Sequence, residues 1–467
     1  LIETDPSGRS NLTFEAMKEP SPALPKGEVP EKEVSRPTIP TIEEIQIEKG
    51  SIEYRDGQSG KTFRVALDRF TVEASGTDGP IQLEGKGACN GKVFTVFSTL
   101  GPPAALSEPG KAWPVKVVVQ AAGATAGVSG GIKNALTTAE YTFDIHAEGN
   151  SVADLAGLAG AESVPELGPF KAAGKITGRK DTLSVDEFDF QSGVEELAAL
   201  SVSGSIKEPL SQRGVQIDFK VYGKDLARLG VILGKPITIQ GPFQASGRLS
   251  DSGDRVYQVS GFKVVAGDND LEGSAEVNLS GAKPGITASL SSNNLDLRPF
   301  LPPDPEVKGT AAESARPVRK DKVFPSDPLS LDALKPINAN IQVQARQLFT
   351  PRLAIKDLNI GVKIQDEALT LDPFKAGVGG GTLDGRILLW PKGKAVGVET
   401  VLKVTKLDAD LVARELDFKE SFGGKLDLNL NLKGIGSSVA QIMAGLNGKT
   451  LLVLSNARMN NRYLDLL

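Results

Sequence analysis

The chain has 467 residues and a formal net charge of −5; it is 40% hydrophobic and 24% charged, with 51 Gly and 29 Pro. Length and composition exclude both a single small core and a disordered or collagen-like chain. Scattered Lys and Arg exclude a basic nucleic-acid footprint, and one cysteine, Cys89, excludes an intramolecular disulfide or a Cys-based zinc site. No apolar run is long enough to cross a bilayer. The protein is therefore expected to be soluble, or to carry its targeting segment upstream of Leu1.

In chain order, residues 1–18 read as the end of a hairpin that begins upstream. Residues 19–41 hold prolines at 20, 22, 25, 30, 37 and 40 among charges and read as a linker. Residues 42–74 predict three strands, with turns at Lys49-Gly50 and Asp56-Gly57.

Across 42–302 the alternation of apolar and polar residues is clean. YTFDIHAE sets Phe143 and Ile145 on one face against Asp144, His146 and Glu148. Ile217, Phe219 and Val221 alternate with Asp218 and Lys220, and Val277 and Leu279 with Glu276 and Asn278. Period two makes each strand dry on one side and wet on the other, the habit of antiparallel sheet.

Helical pattern is short and scarce. Apolar turns surround Asp154, Asp225, Asp296 and Asp410, each Asp suited to capping a helix start. The first three lie 71 residues apart, and two Gly-Pro-Phe triplets, at Gly168 and Gly241, lie 73 apart. One unit of strands and a short helix therefore recurs.

Residues 303–327 are charged and Pro-rich and predict a disordered linker. The β pattern resumes over 328–467. INANIQVQAR presents Ile341 and Val343 on one face, and LDLNLNLK presents Leu428 and Leu430. About 25 strands fit the whole chain, a ribbon on the order of 100 Å at 4.8 Å per strand. With few helices to cover it, the apolar face must close into serial sandwiches or curl into a gutter. The expected fold is mainly β: a long antiparallel sheet, curled like a taco into a repeating groove, with a few short helices.

Catalytic chemistry is thin. His146, the one histidine, alternates outward as a surface residue. DGQSGKT at 56–62 lacks the first Gly of a phosphate loop, and the Gly-rich GVGGGTLDG at 377–385 precedes no helix. GDNDLEG at 267–273 lacks calcium-loop spacing. All three read as turns. No enzyme activity, metal or cofactor is expected.

The segments VFPSDPLSLDALKPINANIQVQARQL, AIKDLNIGVKIQDEALTLDPFKAGVGGGTLDGRILL and FGGKLDLNLNLKGIGSSVAQIMAGLNGKTLLVLSNARM resemble the C-terminal region of AsmA-like proteins of Gram-negative bacteria. DPSGRSNLTF and IEKGSIEYRDGQSGK are similar to the family's early strand and next hairpin. The resemblance implies a periplasmic β-groove of the AsmA/TamB type, akin to chorein-type bridge-like lipid carriers and tethered to the inner membrane by an N-terminal helix. It implies that phospholipid is the cargo, with the inner and outer membrane surfaces or their proteins as partners. The groove lining is expected at Phe143, Ile145, Ile217, Phe219, Val221, Val277, Leu279, Ile341, Val343, Leu428 and Leu430. The competing expectation is a string of closed β-sandwiches serving as envelope scaffold or adhesin, without lipid.

Overall fold

Strict alternation becomes strand wherever it occurs. The computed structural model describes residues 2–3, 43–55, 62–158, 164, 166–179, 182–234, 237–300, 326–415 and 423–458. Most of the expected hairpin tail at 1–18, the linker at 19–41, the turn at Asp56-Gly57 and nearly all of the 303–327 segment lie outside the described residues. The chain divides into two compact units, residues 1–194 with 199–212, and residues 195–198 with 213–467.

The first unit carries β1 (Ile2–Glu3), β2 (Glu44–Arg55), β3 (Thr62–Ala74), β4 (Ile81–Cys89), β5 (Lys92–Leu100), β6 (Ala112–Ala121), β7 (Ala124–Lys133), β8 (Glu140–Gly149), the helix α1 (Val152–Leu158), β9 (Phe170–Arg179) and β10 (Thr182–Val194). β11 (Ala198–Glu208) falls at the division. From β2 to β10 each strand pairs antiparallel with the next, and β1 adds a parallel pairing to β2.

The second unit carries β12 (Arg213–Gly223), α2 (Leu226–Ile232), β13 (Phe243–Gly253), β14 (Val256–Ala266), β15 (Asn269–Asn278), β16 (Gly285–Asp296), β17 (Asn338–Phe349), β18 (Ala354–Gln365), β19 (Ala368–Val378), β20 (Gly381–Lys392), β21 (Ala395–Asp408), α3 (Ala409–Glu415), β22 (Gly423–Gly436), α4 (Val439–Ala444) and β23 (Asn447–Arg458). These strands also pair in chain order. One pairing is parallel: β16 lies beside β17 from Gly285/Asn338 to Asp296/Phe349. The sheet is thus mixed, where antiparallel throughout was expected, and the break after residue 302 does not interrupt it.

The sheet is curled and unclosed. Bulges at Asp186/Asp189, Val259/Phe262, Leu371/Phe374 and Val404/Leu407 each add local twist. The closed sandwiches of the competing expectation are not formed. Among the described residues no large side chain is fully buried. The most enclosed aromatics, Phe170 and Phe243 at 4% and 7% exposure, sit where β9 and β13 begin.

Those two phenylalanines close the repeated Gly-Pro-Phe triplets, and the repeat is real in three dimensions. Gly168 and Gly241 turn the chain at φ of 103° and 94°, a region that favours glycine. The carbonyls of Pro169 and Pro242 then accept the N–H groups of Gly193 and Gly267, at 2.9 and 3.0 Å.

Three local expectations change. Lys49-Gly50 is not a turn: Lys49 takes φ of 53° inside the continuous strand β2, so 42–74 forms two strands. Asp225 does cap α2, accepting the Ala227 N–H at 3.1 Å. α1 is instead capped by Ser151, which accepts the Asp154 N–H at 3.0 Å, and α3 by Asp408, which accepts the Leu411 N–H at 3.1 Å. Asp154 and Asp410 lie inside the first turns.

Candidate functional site

Register places the expected residues on a common face within each unit. In the first, Ile145 stands opposite Val128 and Gly174, and Phe143 opposite Gly130 and Ile176. Tyr141 stacks on Phe143 with ring centroids 6.1 Å apart.

In the second unit, Ile217, Phe219 and Val221 stand opposite Leu249, Gly247 and Ala245. Val277 lies between Tyr257 and Ile286. Ile341 lies between Ala288 and Val362, and Val343 between Leu290 and Ile360. Leu428 lies between Val404 and Leu452, and Leu430 between Leu402 and Thr450. Leu279 is the exception: it lies one residue past β15, its N–H held by the Arg255 carbonyl at 2.8 Å. All eleven residues are half-buried. They are sheltered by neighbours in the sheet and still present surface to whatever lies over it.

The reverse face is charged and cross-linked. Arg248 donates two hydrogen bonds to Asp218 across β12 and β13, at 2.8 and 3.0 Å. Lys175 reaches Glu187 at 3.7 Å, Lys375 reaches Asp384 at 3.4 Å, and Lys433 reaches Glu399 at 3.0 Å. His146 is on this face, exposed, opposite Gly127 and Ala173. Two concavities open there, of about 590 Å³ around Phe97 and about 900 Å³ around Val401.

The perturbed carboxyls are structural. Lys207, with Ser184 and Thr177, holds Asp186 below its ordinary value. Burial pushes Asp270 up, but the backbone N–H groups of Asn294 and Asn293 and the side chains of Asn293 and Ser292 hold it low. Arg298 lowers Asp296, and Lys425 lowers Asp408. None converges on a shared cleft, and among the described residues no His, Cys, Asp and Glu cluster has metal-binding geometry.

Short helices border the apolar face. In the first unit α1 is tied to the start of β5 by Lys92, which contacts the Asp154 carboxylate and carbonyl at 2.9 Å each. In the second, α2 and α3 follow β12 and β21 at one end of the strands, and α4 follows β22 at the other.

The sequence reading missed much of the face. Phe70, Val96 and Val119 share a row with Gly85 between them, and Ile387 and Leu389 continue the face opposite Leu371 and Leu369. Glycine and alanine alternate with large residues there, so the period is hidden to hydropathy. An apolar pair, exposed Phe97 and half-buried Val118, lies on the polar side and gave no such signal.

Among the described residues no helix is long and apolar enough to cross a membrane. No solved structure matches the chain. It is 25% identical over 320 residues to the AsmA family protein YhjG of Escherichia coli (strain K12), covering 64% of this chain. The alignment spans 46% of that relative, so this chain accounts for about half its length. Residues 202–461 match the AsmA family, a stretch that takes in the C-terminal segments whose resemblance the sequence shows, begins well before them, and leaves the two N-terminal segments outside it. With more than half its length matched and the curled, unclosed sheet in place, the chain belongs to the AsmA family.

Proposed function

We propose that the protein shields phospholipid acyl chains on the apolar face of its curled sheet, in the periplasm of a Gram-negative envelope, and so supports lipid supply to the outer membrane. The observation that carries this reading is the half-burial of all eleven expected lining residues, ten of them in register on the apolar face of their own unit, with no large side chain fully buried among the described residues. A closed core would drive such residues out of water. Here they are left to be finished by another apolar body.

Energetics favour a carrier over a receptor. Each methylene taken from water is worth about 0.8 kcal/mol. A chain leaving a bilayer for the sheet loses and regains this quantity together, so passage is nearly level in free energy. Transfer of that kind needs no built polar site, in keeping with scattered, structurally committed charges. Membership of a family without known catalysts agrees with a non-enzymatic role. The expected partners are phospholipid and the surfaces or proteins of the two membranes, with a tether upstream of this chain.

Native mass spectrometry of the purified protein tests the reading. Phospholipid should co-purify, and delipidated protein should recover it from vesicles of phosphatidylethanolamine and phosphatidylglycerol. Protein that never acquires lipid under these conditions refutes the proposal.

A further inference from the structure

The connection into β17 does not take the short route. β16 and β17 are parallel neighbours, yet the chain entering β17 is first pinned beside the end of β22. There Pro328 forms an antiparallel bridge with Ser438, and the Leu329 N–H donates to the Ser437 carbonyl at 2.9 Å. The chain then crosses to Asn338, whose N–H donates to the Pro284 carbonyl at 2.9 Å.

Five strand spacings separate β17 from β22, about 24 Å along the sheet. Nine residues fully extended reach about 30 Å, and this stretch spends three of them in a 3-10 turn, Asp332–Leu334. Followed along the sheet, the segment has little slack in crossing the ends of β18 to β21. Lys335 passes within electrostatic reach of Glu367 in the β18–β19 turn. Leu329, Leu331 and Leu334 are half-buried, while Ser330, Asp332 and Lys335 are exposed. The strap is amphipathic, with its oily side inward.

Its anchor is itself seated on the apolar face. Ile442 of α4, 7% exposed, packs over Gly434 and Gly436 of β22, and Gly434 stands opposite Val398. The strap's other end continues into β17, which is held by neighbours on both sides. One end is a hinge, and the other is held by a two-residue bridge.

We propose that residues 328–337 form a latch on the second unit, which opens at the Pro328–Ser438 bridge to admit or release a lipid acyl chain sideways. The proposal rests on the lipid-shielding reading. It adds that hydrocarbon enters this unit through the strap side as well as along the strands.

A disulfide across the bridge tests it. Pro328 and Ser438 form a non-hydrogen-bonded pair, the arrangement that brings side chains closest. Pro328→Cys with Ser438→Cys is made in a Cys89→Ser background, and uptake of a phospholipid with a fluorescent acyl chain is followed from phosphatidylethanolamine and phosphatidylglycerol vesicles. The latch predicts uptake at least tenfold slower in the oxidised protein than in the same protein reduced. Leu329→Pro, which removes the N–H that holds the strap, should speed uptake severalfold. Equal uptake in oxidised and reduced protein, with Leu329→Pro unchanged, overturns the latch and leaves lipid shielding intact. No uptake even by the Cys89→Ser parent overturns both.

Discussion

Ile217 of β12 stands directly opposite Leu249 of β13, and one residue further along Asp218 stands opposite Arg248, bound to it through the reverse face. Two adjacent pairs in one ladder thus belong to different environments. The first is greasy and half-covered. The second is solvated and charge-matched.

Replacing Ile217 with Asp should therefore separate folding from cargo. A half-buried position lets the carboxylate reach water, so the expected loss is about 1–2 kcal/mol, below the figure for a sealed core. Lipid recovered with the protein should fall severalfold. Arg248→Ala, on the outer face, should leave lipid occupancy unchanged. Urea melts and native mass spectrometry read both. Global unfolding by Ile217→Asp would mark a closed core.

Gly436 is packed under α4 so closely that a Cβ would lie 2.6 Å from the backbone nitrogen of Ile442. Backbone cannot rotate out of the way, so Gly436→Val should unseat α4 at a cost of about 2–3 kcal/mol. Hydrogen exchange should show lost protection at 439–444 and at the strap, with β12–β15 unaffected.

Asp270 accepts the N–H groups of Asn293 and Asn294 at 2.9 and 2.7 Å. Its carboxyl is held below the ordinary value of 3.8, so the folded state prefers it ionised. That stability is present above the ordinary value and is lost as pH falls through the lower, folded one. Asp270→Asn should cost about 2 kcal/mol at neutral pH. The gap in melting temperature between variant and parent should narrow as the pH is lowered past 3.8.

Asp225→Ala removes the side chain that accepts the Ala227 N–H at the start of α2. The expected cost is about 1 kcal/mol, largely rescued by Ser or Asn at this position. A thermal melt of the three variants checks the order.

The strands were legible because one physical rule, a side chain on alternate faces, fixes both the pattern and the structure. Ile341 and Val343 were set on one side from the ten letters INANIQVQAR, and in the sheet they stand opposite apolar Val362 and Ile360. Caps were less legible. Ser151 precedes Asp154 and Asp408 precedes Asp410, and hydropathy does not say which of two polar residues turns the chain. The positive φ of Lys49 within a strand has no sequence mark, since Lys-Gly reads as a turn by composition. Parallel pairing of β16 with β17 was hidden by the intervening segment, because period two is the same in either direction. The strap was hidden for a related reason: Leu329, Leu331 and Leu334 are ordered by what they cross, far away in sequence.

Within each unit, the principal contacts of every strand are with the strands beside it. Cohesion of that kind accrues hairpin by hairpin, as in solenoid arrays, and has no keystone. Evolution can splice in or delete a hairpin without redesigning a centre, and so lengthen or shorten the ribbon strand by strand. Pulled from one margin, such a ribbon should peel in many small force steps, unlike a domain that ruptures once.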